Sequence, residues 1–113
     1  MANNIWVFCE QRDGELQSVA LELLGVAREL AEKTGEKVGA ILLGHKIKNK
    51  AADLIAHGAD EVHVVDDEKL GMFVTEPYTQ AITQIAREYT PSVILFGATS
   101  IGRDLAPRLS ARL

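Results

Sequence analysis

The residues with the most chemical promise are Gly97 to Arg108, GATSIGRDLAPR, which directly follow the apolar run Ser92-Val93-Ile94-Leu95-Phe96. A glycine loop between a buried strand and a helix start is where α/β proteins hold phosphates. The first turn of a helix presents unbonded N–H groups and a partial positive charge. Gly97 and Gly102 have the glycine spacing of a phosphate loop, but such a loop continues with Lys and then Ser or Thr. Here the next residues are Arg103 and Asp104. Asp104 would repel a triphosphate, and no hydroxyl is left for Mg²⁺. The dinucleotide pattern G-x-G-x-x-G belongs after the first strand, where this chain has EQRDGE. A helix start beside Arg103 still offers an anion a weakly specified place. The competing role is structural. Gly97 turns the backbone, and Thr99 or Ser100 caps the helix. Gly102, Leu105, Ala106, Leu109 and Leu113 share one helical face, and Asp104 can pair with Arg108. Pro107 fits only near the helix start, because deeper in it frees a carbonyl and kinks the axis.

Other reactive side chains form no constellation. His45, His57 and His63 are dispersed and lack the spacing of zinc sites. His57 suits a helix C-terminus, His63 lies in a strand, and His45 ends a strand, so it is the one site candidate among them. Cys9 reads as a small buried residue, reactive only if a cation lowers its pKa. Ser18, Ser100 and Ser110 lack the G-x-S-x-G setting of a hydrolase. Asp66-Asp67-Glu68 lacks the spacing of a calcium loop and reads as a solvated strand end. Trp6 reads as core. No catalytic or metal set emerges, and the residues describe a binding or assembly scaffold.

The elements that position these residues follow from periodicity. Residues 4–9, NIWVFC, predict a first strand, followed by EQRDGE as a polar turn. Leu16, Val19, Ala20, Leu23, Leu24, Ala27, Leu30 and Ala31 step by threes and fours, one face of a helix stopped by Gly35. Lys37 to Leu43 predicts a second strand. The segment KIKNKAADLIAHG predicts a helix burying Ile47, Ala51, Leu54 and Ile55 and ending at Gly58. Glu61 to Val65 is a third strand. Thr75-Glu76-Pro77 opens a third helix with Tyr78, Ala81, Ile82, Ile85, Ala86 and Tyr89 on one side, and Pro91 blocks its continuation. Val93 to Gly97 is the fourth strand, and a fourth helix follows. This alternation of apolar strands and amphipathic helices predicts a Rossmann-like, three-layer α/β domain with a parallel sheet. Ligand or partner sites then belong at the strand carboxyl ends: Cys9-Glu10, Gly44-His45, Asp66-Asp67 and Gly97-Ala98-Thr99.

Bulk properties agree. The chain has 113 residues, 47% hydrophobic and 25% charged, with 5% aromatics, which suits one domain with a real core. A net charge of −4 excludes a broad basic field for nucleic acid. A lone Cys9 excludes an internal disulfide and suits a reducing compartment. No stretch has the form of a signal peptide or membrane span, so a cytoplasmic prokaryotic protein is expected. The sequence stops at Ser110-Ala111-Arg112-Leu113 with the helical pattern still running and no stop signal. Residues 1–113 are therefore expected to be part of a longer protein, incomplete at the C-terminal end.

IWVFCEQRDGELQSVALELLGVARELA, GEKVGAILLG, AADLIAHGADEVHVVDD and above all GATSIGRDLAPRLSARL resemble the α subunits of electron transfer flavoproteins, in matching order and spacing along essentially the whole chain. The resemblance implies an adenine nucleotide α-hydrolase-like N-terminal domain that packs against a β subunit in a heterodimer. It implies FAD held by a C-terminal domain that nothing here matches, and AMP or a second FAD in the β subunit. It implies electrons received from acyl-CoA dehydrogenases of fatty acid β-oxidation, from other dehydrogenases, or in some anaerobes from NADH, with no catalysis by this domain alone. No cofactor-binding residue is expected in the segment, because the family's FAD-contacting positions lie outside it, and the resemblance implies that the domain's own equivalent of the β subunit's nucleotide site is empty. Gly97, Thr99, Arg103 and Arg108 are the residues expected at or near the subunit or cofactor edge. Two other readings stay open: a stand-alone nucleotide-binding module of universal-stress-protein-like topology, and a small enzyme using His45 or Cys9.

Overall fold

The computed structural model describes residues 4–113. In chain order its elements are β1 (Ile5–Phe8), β2 (Gln11–Arg12), β3 (Glu15–Leu16), α1 (Ser18–Thr34), β4 (Val38–Gly44), α2 (Ala51–Ala56), β5 (Glu61–Asp66), α3 (Thr75–Tyr89), β6 (Val93–Leu95) and α4 (Ser100–Arg112). Strands β1, β4, β5 and β6 form a four-stranded sheet in the order β5-β4-β1-β6, every pair parallel. Helices cover both faces, so the fold is the three-layer α/β arrangement that the alternation predicts.

The strands read as apolar runs because both of their faces are covered. All of β4 is buried, and β1 is buried along its length. Successive side chains of β1 go to opposite layers. Ile5 and Val7 join Ala20, Leu24, Ala27 and Leu54 under α1 and α2. Trp6 and Phe8 join Tyr78, Ile82, Leu105 and Leu109 under α3 and α4. The stop at Gly35 takes the expected left-handed form, φ 77°, its N–H donating to the Ala31 carbonyl at 2.8 Å.

The structure departs from the sequence expectations in local places. EQRDGE is more than a polar turn, since Gln11–Arg12 and Glu15–Leu16 pair antiparallel as a small hairpin. Its two tip residues, Asp13 (φ 51°) and Gly14 (φ 82°), both take the positive φ that a two-residue hairpin turn requires. The second helix begins with a 3₁₀ turn at Lys48–Lys50, leaving only Ala51–Ala56 as α-helix. So short a helix buries a single stripe: Leu54 is buried, and Ile55, one position round the axis, is 54% exposed. Tyr89 and Leu113, expected on core faces, are 53% and 56% exposed, each lying at the end of its helix. Pro107 lies past the first turn of α4, so the carbonyl of Arg103 has no N–H partner at the usual position within the helix.

Candidate functional site

The chain moves from β1 outward to β4 and β5, then crosses back to place β6 on the other side of β1. The carboxyl ends of β1 and β6 therefore flank a topological switch point, where open α/β sheets form their ligand crevices. A cavity of about 280 Å³ opens there, lined by Glu10, Arg12 and Gln17–Val19 from the β1 side and Thr99–Ile101 from the β6 side. The starts of α1 and α4 both rim it. Neither helix has an acidic residue in its first turn, and Gln17 supplies no side-chain cap to α1.

The glycines of the loop serve the backbone. A Cβ on Gly102 would lie 2.0 Å from the Gly97 carbonyl oxygen, so the first turn of α4 rests directly on the loop that leaves β6. A Cβ on Gly97 would meet Val19 at 2.7 Å and the Glu10 carboxylate at 3.0 Å. Thr99 is the cap, its Oγ1 accepting from the Gly102 N–H at 3.0 Å. The same hydroxyl donates to Oε2 of Glu10 at 2.6 Å. Glu10 is 7% exposed. Sequence reasoning placed Glu10 at a strand end but gave it no role. An acidic residue straight after a fully apolar strand was the available signal.

The predicted contact residues divide into two groups. Gly97 and Thr99 are occupied inside the loop. Arg103 and Arg108 are exposed on α4. Arg108 pairs with Asp104 at 3.5 Å, as the spacing predicts, while Arg103 forms no ion pair among the described residues. Asp104 also accepts from the Thr75 hydroxyl at the start of α3.

The remaining candidates sit apart from the crevice. Cys9 is buried, and burial pushes its thiol up to about 12, so it is protonated at neutral pH and a poor nucleophile. His45 ends β4 as expected, 3.9 Å from Asp66 and 41% exposed. Asp66 is structural: it accepts from the N–H groups of Lys46 (2.8 Å) and Ile47 (2.9 Å). Those two bonds hold its carboxyl below the usual carboxylate range, with a smaller contribution from His45. His57 caps α2 as expected, Nδ1 lying 2.7 Å from the Asp53 carbonyl. His63 packs against Trp6 and Tyr89 with its ring tilted to both, centroids 4.6 and 4.8 Å away. A second groove of about 690 Å³ runs along the free edge of β6, lined by Thr90–Ile94 and the last turns of α3 and α4, away from the crevice. Among the described residues no helix is long and apolar enough to cross a membrane.

Comparison with known proteins settles the lineage. The model of the electron transfer flavoprotein domain matches residues 5–113. The chain belongs to the electron transfer flavoprotein family. It is 56% identical over 110 residues to an electron transfer flavoprotein subunit alpha of Thermoanaerobacterium thermosaccharolyticum, covering 97% of this chain and 33% of that protein. It is 46% identical over 110 residues to the acryloyl-CoA reductase electron transfer subunit beta of Anaerotignum propionicum, covering 97% of this chain and 30% of that one. The chain thus spans about a third of the length of the curated relatives it matches. A universal stress protein from Archaeoglobus fulgidus shares the fold, with TM-score 0.64 and 19% identity over 93% of this chain and 91% of that one; at that identity the likeness is one of fold alone.

The family name raises the question of a flavin. The residues of the crevice do not fit one. Two like charges 4 Å apart repel by about 4 kcal/mol at an effective dielectric of about 20. A helix start gives an anion at most about 2 kcal/mol. With Glu10 lining the crevice, two helix starts at best offset the repulsion of one phosphate charge, and a pyrophosphate diester carries two.

Proposed function

We propose that this chain is the N-terminal α/β portion of an electron transfer flavoprotein α subunit and acts as the scaffold that contacts the β subunit. The observation that carries the reading is the family match over residues 5–113, joined to a crevice whose buried group is a carboxylate. In this reading FAD is bound by a separate C-terminal domain, and AMP or a second FAD by the partner β subunit. The assembled heterodimer passes electrons between a dehydrogenase and an acceptor in a prokaryotic cytoplasm, and this domain is not a catalyst by itself. Acyl-CoA dehydrogenases of fatty acid β-oxidation are one class of donor. The acryloyl-CoA reductase relative supports a wider range. Gly97 and Thr99 shape the first turn of α4, and exposed Arg103 and Arg108 on that helix meet the β subunit or its cofactor edge.

Two measurements test this. The purified chain should be colourless, while the full-length α subunit with its β subunit should be yellow; a yellow chain, or one stabilised by ATP in a thermal melt, would favour a nucleotide-binding module instead. In the full-length protein, Arg103→Ala and Arg108→Ala should weaken heterodimer formation and leave the fold intact. Unchanged affinity and flavin content in both variants would remove these arginines from the interface.

A further inference from the structure

We infer that Glu10 makes the switch-point crevice an internally occupied anion site, its carboxylate standing where the phosphate of a nucleotide would otherwise bind. Three observations lead there. Glu10 lines the cavity yet is 7% exposed. A carboxylate buried that far needs compensating dipoles or donors. Its Oε2 takes the Thr99 hydroxyl at 2.6 Å, and the starts of α1 and α4, which share the cavity wall, present their positive ends and unbonded N–H groups. Neither first turn carries an acid of its own. Glu10, at the end of β1, is the acidic residue that lines the cavity beside both helix starts.

The surrounding residues fit that assignment. Residue 97 is glycine, and a side chain there would come within 3.0 Å of the Glu10 carboxylate. The backbone N–H of Gln17, at the threshold of α1, donates to the Glu10 carbonyl at 3.0 Å. Glu10 therefore touches the entry of α1 through its main chain and the cap of α4 through its side chain. One residue at the switch point both closes the crevice to anions and ties the two helix starts together. This inference is independent of the subunit reading, since it concerns the cavity of this chain alone.

The test is an amide NMR titration of the chain with inorganic phosphate and, separately, with AMP. The proteins are wild type, Glu10→Gln and Glu10→Asp, each first shown to be folded by its melting curve. Glu10→Gln keeps the shape and an acceptor for Thr99 but removes the charge. Its affinity for phosphate should rise on the order of a thousandfold, the scale set by removing one unit charge about 4 Å away. The shifted amides should be those of Ser18, Val19, Ser100 and Ile101. Wild type and Glu10→Asp should show no saturable shifts there. Tighter binding of AMP than of phosphate would assign the site to nucleotides, and equal binding to phosphate alone; both agree with the inference. Saturable binding by wild type, an equal gain in Glu10→Asp, or no gain in Glu10→Gln would each overturn it.

Discussion

The face of the sheet under α1 and α2 is packed with small aliphatic side chains: Ala20, Leu24, Ala27, Ala31, Val7, Ala40 and Leu42. The face under α3 and α4 carries the bulk and the polarity, with Trp6, Phe8 and Tyr78 alongside buried Thr79 and Thr83. The described residues have three buried side-chain polar atoms without a partner, Trp6 Nε1, His63 Nε2 and Thr83 Oγ1, and all belong to this second face. Trp6 reaches His63 by lying across β4, where a Cβ on Gly39 would come 2.6 Å from the indole. The first face is closed by volume alone. The second also depends on where its polar atoms find partners, and an unpaired buried polar group is costly.

The largest expected effect breaks the first face. Leu24 has no exposed surface and sits at the centre of α1. Leu24→Ala should cost about 3 kcal/mol by transfer and cavity terms, read by urea denaturation; a loss below about 1 kcal/mol would mean that this face repacks freely. The next effect sharpens the contrast on the second face. Thr83→Val removes a hydroxyl with no partner and should raise stability by about 1 kcal/mol. Thr79→Val should lower it by a similar amount, because the Thr79 hydroxyl donates to the Thr75 carbonyl at 2.7 Å. Melting temperatures that move the same way in both variants would contradict the partner assignments.

The smallest effect is a pH dependence. Burial pushes His63 below its ordinary 6.5, outweighing the opposing pull of Glu61 and Glu88. The unfolded chain then binds the proton more readily than the folded one. Stability from this residue is present above about pH 6.5 and falls as pH drops below it. His63→Gln should flatten that slope between about pH 7 and about pH 5. Asp60 and Asp66 act in a separate window. Both are lowered from 3.8 mainly by backbone N–H bonds, Asp60 from Val38 and Asp66 from Lys46 and Ile47. Their contribution is lost only as pH falls through the range below that value. A His63→Gln profile identical to wild type would detach His63 from the second face.

Much of this was legible in one dimension because it is local. Thr75-Glu76-Pro77 marked a helix start, Gly35 a stop, and the spacing of Ala20, Leu24, Ala27 and Ala31 a buried stripe. The hairpin at Gln11–Leu16 was missed because two-residue strands are too short to show alternation, although Asp13-Gly14 carries the turn signal. Ile55 departs from the expected face because a helix as short as Ala51–Ala56 buries one stripe, which Leu54 occupies. At the crevice, the cap, the glycines and the Asp104–Arg108 pair follow from spacing. Glu10 does not, because its partner Thr99 lies far along the chain and only the return of β6 beside β1 brings them together.

The contact between Gly97 and Gly102 has a further consequence, for length. With the first turn of α4 resting on the Gly97 carbonyl, two residues past the end of β6, the residues between the two glycines form a loop of fixed span, and adding or removing one would pull helix and strand out of register. The hairpin tip at Asp13-Gly14 is constrained differently: nothing lies within 4 Å of a Cβ built on Gly14, and what the tip demands is positive φ at both residues. The loop after β6 is thus held by a close contact, and the hairpin tip by the conformation of its own backbone.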